Sequence, residues 1–202
     1  MEKFPLKICI IGAGRLGTSL AYIIIKKNNP QVSVTSIASR SDESLNNAKD
    51  IIKNMPDLNI LFTKNNLAAA HQANCIFICT PDDEIEKVCR ELFEDSKLHE
   101  ILFVMHFSGS KKMDALNSAK KEGASVACMH PLKSFASVAE SIKTMENTLY
   151  GVTYDKNDSE IKKVVDLLLD LLAGKQIFIE NSIKPLYHAC ACIASNLSLI
   201  HI

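Results

Sequence analysis

The sequence lacks an excess of charge of either sign. Its 202 residues include 23 lysine and arginine residues against 23 aspartate and glutamate residues, so the formal net charge is zero. Proteins that bind nucleic acid or anionic membranes usually carry a basic excess. We therefore expect neither a nucleic acid nor a membrane as the partner, and we expect a small-molecule substrate.

Long apolar runs and targeting signals are also missing. No apolar stretch reaches the roughly 18 residues of a membrane span. The segment from Met1 to Lys7 has no basic leader and no cleavage site, so no signal peptide is expected. The seven cysteines form no paired framework, and four of them lie in apolar runs: Cys9, Cys75, Cys79 and Cys128. This pattern is typical of buried thiols in a reducing compartment and predicts a cytoplasmic protein.

What the sequence does contain is a regular alternation of short apolar runs with helix-like stretches. Eight runs are predicted strands: 7–11, 32–38, 59–63, 75–80, 101–106, 125–129, 148–154 and 176–179. Seven stretches are predicted helices: 15–27, 41–53, 65–72, 82–94, 111–122, 137–144 and 159–173. Strands that are apolar on both faces and alternate with helices predict an α/β fold with a doubly wound, mainly parallel sheet.

The last segment differs from the rest. From Leu186 onward it is helix-like and apolar on nearly every side, which predicts a helix that must be buried against something else. We expect two units: a nucleotide-binding domain over residues 1–181, and the first helix of an all-α domain over residues 182–202. Either a partner chain covers this helix or a longer domain once followed it.

The strongest local motif is a glycine loop, Gly12-Ala13-Gly14-Arg15-Leu16-Gly17, between the first strand and the first helix. In the G-x-G-x-x-G pattern the first glycine allows a tight turn, and the second leaves room for a pyrophosphate. The third lets the helix pack closely on the strand. The N–H groups at the helix start then face the anion. We predict that these six residues bind a dinucleotide; the alternative is a glycine turn without a ligand.

The end of the second strand indicates which dinucleotide. It reads Ser39-Arg40-Ser41, without the acidic residue that an NAD site uses for the ribose hydroxyls. Arg40 can hold a 2′-phosphate with its planar fork, and the two serines can donate hydrogen bonds. This favours NADP(H). The alternatives are a solvated Arg40 and a Ser41 that only caps a helix.

Further segments resemble a known family. They are Thr80-Pro-Asp-Asp-Glu-Ile85, His106-Phe-Ser-Gly109, Met129-His-Pro-Leu-Lys-Ser-Phe135 and Tyr187-His-Ala-Cys-Ala-Cys-Ile-Ala-Ser-Asn196. Together with the glycine loop they resemble DUF2520, a family of Rossmann-like oxidoreductases with a C-terminal helical domain. More distantly, the arrangement is similar to pyrroline-5-carboxylate reductase, coenzyme F420-dependent NADP oxidoreductase and prephenate dehydrogenase.

The resemblance implies an NADP cofactor and redox chemistry without a named substrate. Family members continue with several more helices, which form the substrate cleft and commonly a dimer interface. This chain ends inside the first of those helices. The resemblance therefore implies a C-terminally truncated chain, and a homodimer through the C-terminal helices if these are present.

Several polar residues follow the predicted strands and would reach the ligand crevice. Thr80 and Pro81 either flank the cofactor or act locally, as a helix cap and a first helical residue. His106 is either an acid/base group or a structural histidine. Ser108 either bonds substrate or cofactor or is a turn residue.

Two later segments offer more candidates. His130 can orient a carbonyl and Lys133 can pair with an anionic substrate, unless they are a structural turn and a solvated charge. On the last helix His188 and Asn196 are eight residues apart and share a face. They are candidate catalytic groups or an internally satisfied polar pair. A zinc site from His188, Cys190 and Cys192 does not fit a common spacing, so no metal is expected.

These residues together predict an NADP(H)-dependent oxidoreductase that transfers hydride to or from a small carbonyl, imine or hydroxy compound. The candidate catalytic residues are His106, His130, His188 and Asn196. Two rivals stay open: a nucleotide-binding sensor or scaffold without turnover, and an inactive truncated product.

Overall fold

The predicted strands join into one sheet in the computed structural model of the chain. The structure describes residues 5–55, 59–94, 98 and 101–200, and for Glu94 and residues 195–200 it describes the backbone alone. The strands are β1 (Leu6–Ile11), β2 (Val32–Ala38), β3 (Leu61–Thr63), β4 (Cys75–Ile78), β5 (Phe103–His106), β6 (Ser125–Pro131), β7 (Leu149–Tyr154) and β8 (Lys175–Phe178). All eight predicted strands are confirmed, and both ends of each strand lie within two residues of the predicted ends.

Helices connect these strands. They are α1 (Arg15–Lys27), α2 (Asp42–Ile52), α3 (Asn66–Ala70), α4 (Ile85–Glu94), α5 (Asn117–Lys121), α6 (Val138–Thr144), α7 (Ser159–Leu171) and α8 (Lys184–Ile200). Short 3₁₀ helices precede α5, at Met113–Leu116, and α8, at Asn181–Ile183. Within the described ranges, no helix is long and apolar enough to span a membrane.

The strand order is β3-β2-β1-β4-β5-β6-β7-β8. All neighbouring pairs are parallel except β6 and β7, which run antiparallel. The chain builds outward from β1 first toward β3 and then, through β4, toward β8. The direction of winding therefore reverses between β1 and β4, and the crevice outside their carboxyl ends is where such sheets bind ligands. The predicted doubly wound, mainly parallel α/β fold is confirmed.

Apolar side chains of β1 reach both faces of the sheet. Ile10 packs in one buried cluster with Leu20 of α1, and Ile11 packs in a second cluster with Ile85 of α4. Both faces are covered by helices, which is why the strands could be read as continuous apolar runs. The cysteines in these runs, Cys9, Cys75 and Cys128, are buried as predicted, whereas Cys79 is half-buried.

Local side chains set several helix ends. Ser41 precedes α2 and its hydroxyl accepts a hydrogen bond from the Ser44 N–H at 3.2 Å. Asp158 caps α7 in the same way, through the N–H groups of Glu160 and Ile161. These contacts satisfy N–H groups that have no partner inside the helix.

Element boundaries on either side of the candidate site differ from the sequence predictions. Strand β6 continues to Pro131, so His130 lies in the strand and does not follow it. The reason is tertiary: β7 pairs antiparallel with β6 and extends it, with Pro131 opposite Tyr150. Helix α8 begins at Lys184, two residues before the predicted start. The proposed division between residues 1–181 and 182–202 stays a prediction.

Candidate functional site

Each glycine of the loop after β1 has a distinct spatial role. Gly12 has a φ of 110°, and a Cβ there would lie 2.6 Å from the carbonyl group of Cys79. A Cβ on Gly17 would lie 2.0 Å from the Gly12 carbonyl oxygen, whereas a Cβ on Gly14 would meet nothing within 4 Å. Gly12 and Gly17 are therefore required by the fold. Gly14 faces open space at the start of α1, where a phosphate group would approach.

The residues between the glycines hold the loop in place. Ala13 is buried, and its carbonyl accepts a hydrogen bond from the Thr18 hydroxyl at 3.2 Å. The Arg15 guanidinium donates to the carbonyl of Phe135 at 2.7 Å and to that of Ala136 at 3.3 Å. Leu16 is partly buried against the core. Arg15 thus ties the glycine loop to the segment that follows β6.

The residues predicted to hold a 2′-phosphate, Ser39 to Ser41, lie just after β2, but they already have partners within the protein. Arg40 Nη1 forms an ion pair with Glu84 Oε2 at 3.1 Å, and the arginine side chain is 72% exposed. Ser41 caps α2, and its N–H lies 3.4 Å from the Ser39 hydroxyl. The capping alternative for Ser41 is therefore what the structure contains, while Arg40 stays accessible from solvent.

The segment after β4 differs from the alternative in which Thr80 and Pro81 act as a helix cap and a first helical residue. Thr80 and Pro81 do not cap or open α4, because that helix begins at Ile85 after a turn in which the Glu84 N–H donates to the Pro81 carbonyl at 3.0 Å. The Thr80 hydroxyl is buried and has no hydrogen-bond partner among the described residues. A buried hydroxyl without a partner is costly, and it marks a place where a ligand group can bind.

Beyond that turn, Asp82 collects hydrogen bonds from the loop after β5. The Ser108 hydroxyl donates to Asp82 Oδ2 at 2.7 Å, and the Ser110 hydroxyl donates to the same oxygen at 2.6 Å. Burial raises the pKa of Asp82, but the bonds from Ser110 and Ser108 outweigh burial and hold the pKa below its ordinary value. Asp82 is therefore a fixed negative charge, and the Ser108 hydroxyl is already engaged.

His106 lies at the end of β5 and is 0% exposed. Its Nδ1 accepts a hydrogen bond from the Ser108 N–H at 3.2 Å, and its Nε2 has no hydrogen-bond partner within the part of the chain that the structure describes. Burial and the charge of Lys184 lower the pKa of His106 to about 3, although the Lys112 backbone and Asp82 oppose this. The ring is therefore neutral near pH 7 and holds the Ser108 loop in position.

A buried lysine lies beside His106. Sequence analysis did not rank this lysine among the site residues. Lys184, the first residue of α8, is 1% exposed, and its Nζ donates to the Ser108 carbonyl at 3.2 Å and to Cys128 Sγ at 2.8 Å. Burial raises the pKa of Cys128, and the nearby Lys184 charge opposes this. Cys128 thus stays a thiol and donates to the Ser108 carbonyl at 3.1 Å. No sequence signal separates Lys184 from a solvated lysine at a helix start.

His130 of β6 faces α8. A hydrogen bond of 3.0 Å joins its Nδ1 to the Tyr187 hydroxyl. Burial lowers the pKa of His130 to about 4, with the charges of His188 and Lys184 adding to the effect. Burial raises the pKa of Tyr187 to about 12. Both partners therefore stay uncharged near neutral pH, and Tyr187 is a second functional candidate that sequence analysis did not rank.

His188 follows on the same helix and completes the cluster. Its ring centroid lies 5.6 Å from that of His130, and its Nε2 lies 3.6 Å from Cys192 Sγ. Its Nδ1 is buried next to Gly109 and, with the side chains of residues 195–200 not described, has no hydrogen-bond partner among the described residues. The structure thus brings His106, His130 and His188 to one sheet edge. The side chain of Asn196, the fourth predicted catalytic group, lies outside the described residues.

Lys133 does not join this cluster. Its Nζ donates to the Ser141 carbonyl at 3.5 Å and to the Thr144 hydroxyl, both on α6. Burial lowers the pKa of this ammonium group. The predicted pairing of Lys133 with an anionic substrate therefore competes with two contacts in the protein. Among the residues with described side chains, no group of three His, Cys, Asp or Glu residues could hold a metal ion.

Comparisons with known proteins agree with this fold. Residues 1–131 match the Rossmann-like domain family. A protein designated an NADP oxidoreductase from Bacteroides fragilis has a similar structure, with a TM-score of 0.72 and 16% identity over 99% of this chain and 70% of that chain. A comparison with curated proteins found no match.

Two further solved structures are similar. Plasmodium falciparum pyrroline carboxylate reductase with NADP bound has a TM-score of 0.66 and 15% identity over 98% of this chain and 66% of that chain. Aquifex aeolicus prephenate dehydrogenase with hydroxyphenyl propionate and NAD+ has a TM-score of 0.70 and 15% identity over 89% of this chain and 61% of that chain. The chain thus spans about two thirds of the length of these proteins.

Proposed function

The chain belongs to the Rossmann-like domain family, and from this premise we propose that it binds NADP(H) and transfers hydride to or from a small carbonyl, imine or hydroxy compound. The observation that carries the proposal is the open space at Gly14, between two glycines whose contacts are fully used by the fold. A loop selected for tight packing alone does not need a glycine at the position that touches nothing.

The residues of the chain fit the cofactor at three places. The N–H groups at the start of α1 hold the pyrophosphate, since the helix dipole and the open Gly14 backbone both favour an anion there. Arg40 holds the 2′-phosphate. The Thr80 hydroxyl, which has no partner among the described residues and follows β4, the strand next to β1, bonds the ribose or nicotinamide end. The structures similar to this one include proteins with NADP and with NAD+.

The histidine cluster supplies the polar end of the crevice. The nicotinamide ring, when bound, gives or takes the hydride. The protein must then hold the substrate and move one proton. The His130–Tyr187 pair keeps a proton available on an uncharged phenol or imidazole, and His188 presents an unpartnered Nδ1. His106, which has no exposed surface, acts as a positioning residue for the Ser108 loop.

Substitution of Gly14 tests the cofactor site. We expect Gly14→Ala to change the free energy of unfolding by less than about 0.5 kcal/mol, because its Cβ meets no atom. We expect it to weaken NADPH binding at least about tenfold, because the methyl group separates the pyrophosphate from the loop N–H groups. Isothermal titration calorimetry and urea unfolding measure the two effects.

Gly17→Ala is the matched control, because its Cβ would lie 2.0 Å from the Gly12 carbonyl oxygen. We expect this variant to lose about 3 kcal/mol or more of stability. Equal NADPH binding by the Gly14→Ala variant and the native protein would contradict the proposal, as would the absence of any heat with either NADPH or NADH.

A turnover measurement distinguishes the proposed oxidoreductase from the rival function, a nucleotide sensor or scaffold. A panel of carbonyl and imine compounds is offered to the NADPH-loaded protein, and cofactor oxidation is followed by absorbance. We expect the His130→Gln and His188→Gln variants to bind NADPH normally and to lose most of the turnover. Tight NADPH binding without turnover of any compound would favour the sensor.

A further inference from the structure

One ion pair joins the two loops that flank the glycine loop. Arg40 follows β2 and Glu84 precedes α4, and their side chains meet at 3.1 Å. Strands β2 and β4 are the two hydrogen-bonded neighbours of β1. The pair therefore crosses the carboxyl end of the strand that carries the glycine loop, at the entrance to the crevice where the dinucleotide is proposed to bind.

The two partners differ in exposure. The Arg40 side chain is 72% exposed, whereas that of Glu84 is 25% exposed. The Glu84 side chain is the less exposed partner, and the Glu84 backbone is fixed in the turn before α4 by hydrogen bonds with Pro81 and Val88. The Arg40 guanidinium is thus the more accessible member of the pair, and its move from Glu84 to another anion would leave the packing of the α4 turn in place.

A 2′-phosphate and the Glu84 carboxylate compete for the same guanidinium fork. A phosphate brings more negative charge and more acceptor oxygens than a carboxylate, so it can displace Glu84. The displaced carboxylate remains close and repels the phosphate. The ribose hydroxyl of NAD(H) is uncharged, so it neither displaces Glu84 nor suffers this repulsion.

From this geometry we infer that Glu84 is a specificity-determining residue, which holds Arg40 as an internal competitor and reduces the preference of the protein for NADP(H) over NAD(H). The inference rests on the proposed function, in which Arg40 binds the 2′-phosphate. It assigns a role in cofactor choice to a residue from the β4–α4 turn and not from the second strand, where such residues are usually sought.

The test is a comparison of dissociation constants in the full chain, measured by calorimetry with NADPH and NADH. We expect Glu84→Gln to tighten NADPH binding about three- to tenfold, because an exposed ion pair of this kind and one like-charge repulsion are removed. NADH binding should change by less than about twofold, since no charge on NADH reaches Arg40.

Glu86→Gln is the matched control. Glu86 lies two residues along in the first turn of α4 and is exposed, so the substitution removes the same charge. It should leave both dissociation constants within about twofold. Arg40→Ala should remove the preference for NADPH. In the Arg40→Ala background Glu84→Gln should then give a smaller gain in NADPH binding than in the native chain, because only the like-charge repulsion is left to remove. Far-UV circular dichroism and urea midpoints confirm that each variant folds.

The outcomes separate the two claims. Normal NADPH binding with no gain in Glu84→Gln, or an equal gain in Glu86→Gln, overturns the inference and leaves the proposed function standing. Weaker NADH binding by Glu84→Gln also overturns it, because Glu84 would then be a ribose ligand. If neither dinucleotide binds to the native protein or to any variant, both the proposed function and the inference are wrong.

Discussion

Two histidines at the edge of the sheet are held in the uncharged form. His106 is fully enclosed below the Ser108 loop, and His130 lies between Gly109 and Tyr187. Burial is the main reason that the pKa of His106 falls to about 3 and that of His130 to about 4. The charge of Lys184, itself buried, adds to both effects. A neutral imidazole has a donor and an acceptor, which suits a site that must orient a polar substrate.

These pKa values predict how stability depends on pH. The unfolded chain binds protons on both histidines below the ordinary pKa of 6.5, while the folded protein cannot bind them until about pH 4. The free energy of unfolding should therefore fall as the pH drops, by about 3 to 4 kcal/mol from pH 7 to pH 5. Urea unfolding at several pH values measures this loss.

The His106→Gln variant should show roughly half of this dependence, since one of the two histidines is removed. His71→Gln, which changes an exposed histidine, should keep the full dependence. A free energy of unfolding that is constant between pH 7 and pH 5 would contradict the buried, neutral state of the two rings.

At the scale of secondary-structure elements, two glycines allow α8 to pack closely against the edge of the sheet. A Cβ on Gly151 of β7 would lie 2.3 Å from the Tyr187 hydroxyl, and one on Gly109 would lie 2.4 Å from His188 Nδ1. The glycines leave room for two aromatic rings of the helix, and Lys184 anchors its first turn. The position of α8, and with it the histidine cluster, thus depends on the close approach of the two glycine backbones to side chains of the helix.

This dependence can be measured through Gly151→Ala. We expect the substitution to cost about 1 to 3 kcal/mol of stability, because the new methyl group displaces the Tyr187 ring from His130. In a Tyr187→Ala background the same substitution should cost less than about 0.5 kcal/mol, since the space is then free. A double-mutant cycle by urea unfolding gives the coupling energy, and a coupling near zero would show that α8 does not pack here.

At the scale of the whole molecule, α8 presents apolar side chains to solvent. Leu186 is 66% exposed and Ile193 is 59% exposed, and their spacing of seven residues places them on one face of the helix. We propose that this face is covered in a homodimer formed through the C-terminal helices. Large apolar side chains exposed on one face of a helix favour a surface that binds another chain.

The proposal predicts self-association that depends on this face. We expect Leu186→Lys and Ile193→Lys each to raise the dissociation constant of the dimer at least about tenfold, because each places a charge in an apolar interface. Analytical ultracentrifugation across a range of protein concentrations measures the constants. Asn157→Lys, which adds the same charge at an exposed loop position, should leave association unchanged, and a native protein that stays monomeric would contradict the proposal.

Features of the sequence that are local could be predicted without the structure. The central strands are apolar on both faces because both faces are covered, and their sequences show this pattern, as in Ile8 to Ile11. The glycine loop was also predictable, because the positive φ of Gly12 and the contact of Gly17 with the Gly12 carbonyl are set within the motif, although Gly12 also packs against the distant Cys79. The start of α4 was predicted too early. A Thr-Pro pair before acidic residues, as at Thr80, is also a helix-start pattern, yet α4 begins at Ile85.

The remaining features were decided by contacts between distant segments. Lys184 meets Cys128 and Ser108 across 56 and 76 residues, and Arg40 meets Glu84 across 44. Hydrophobic periodicity and turn chemistry set the strands, the helices and the glycine loop, because those forces act between near neighbours in the chain. The neutral histidines, the buried lysine and the ion pair at the crevice arise only when the strand order brings separate loops to one edge, where burial and charge act through space.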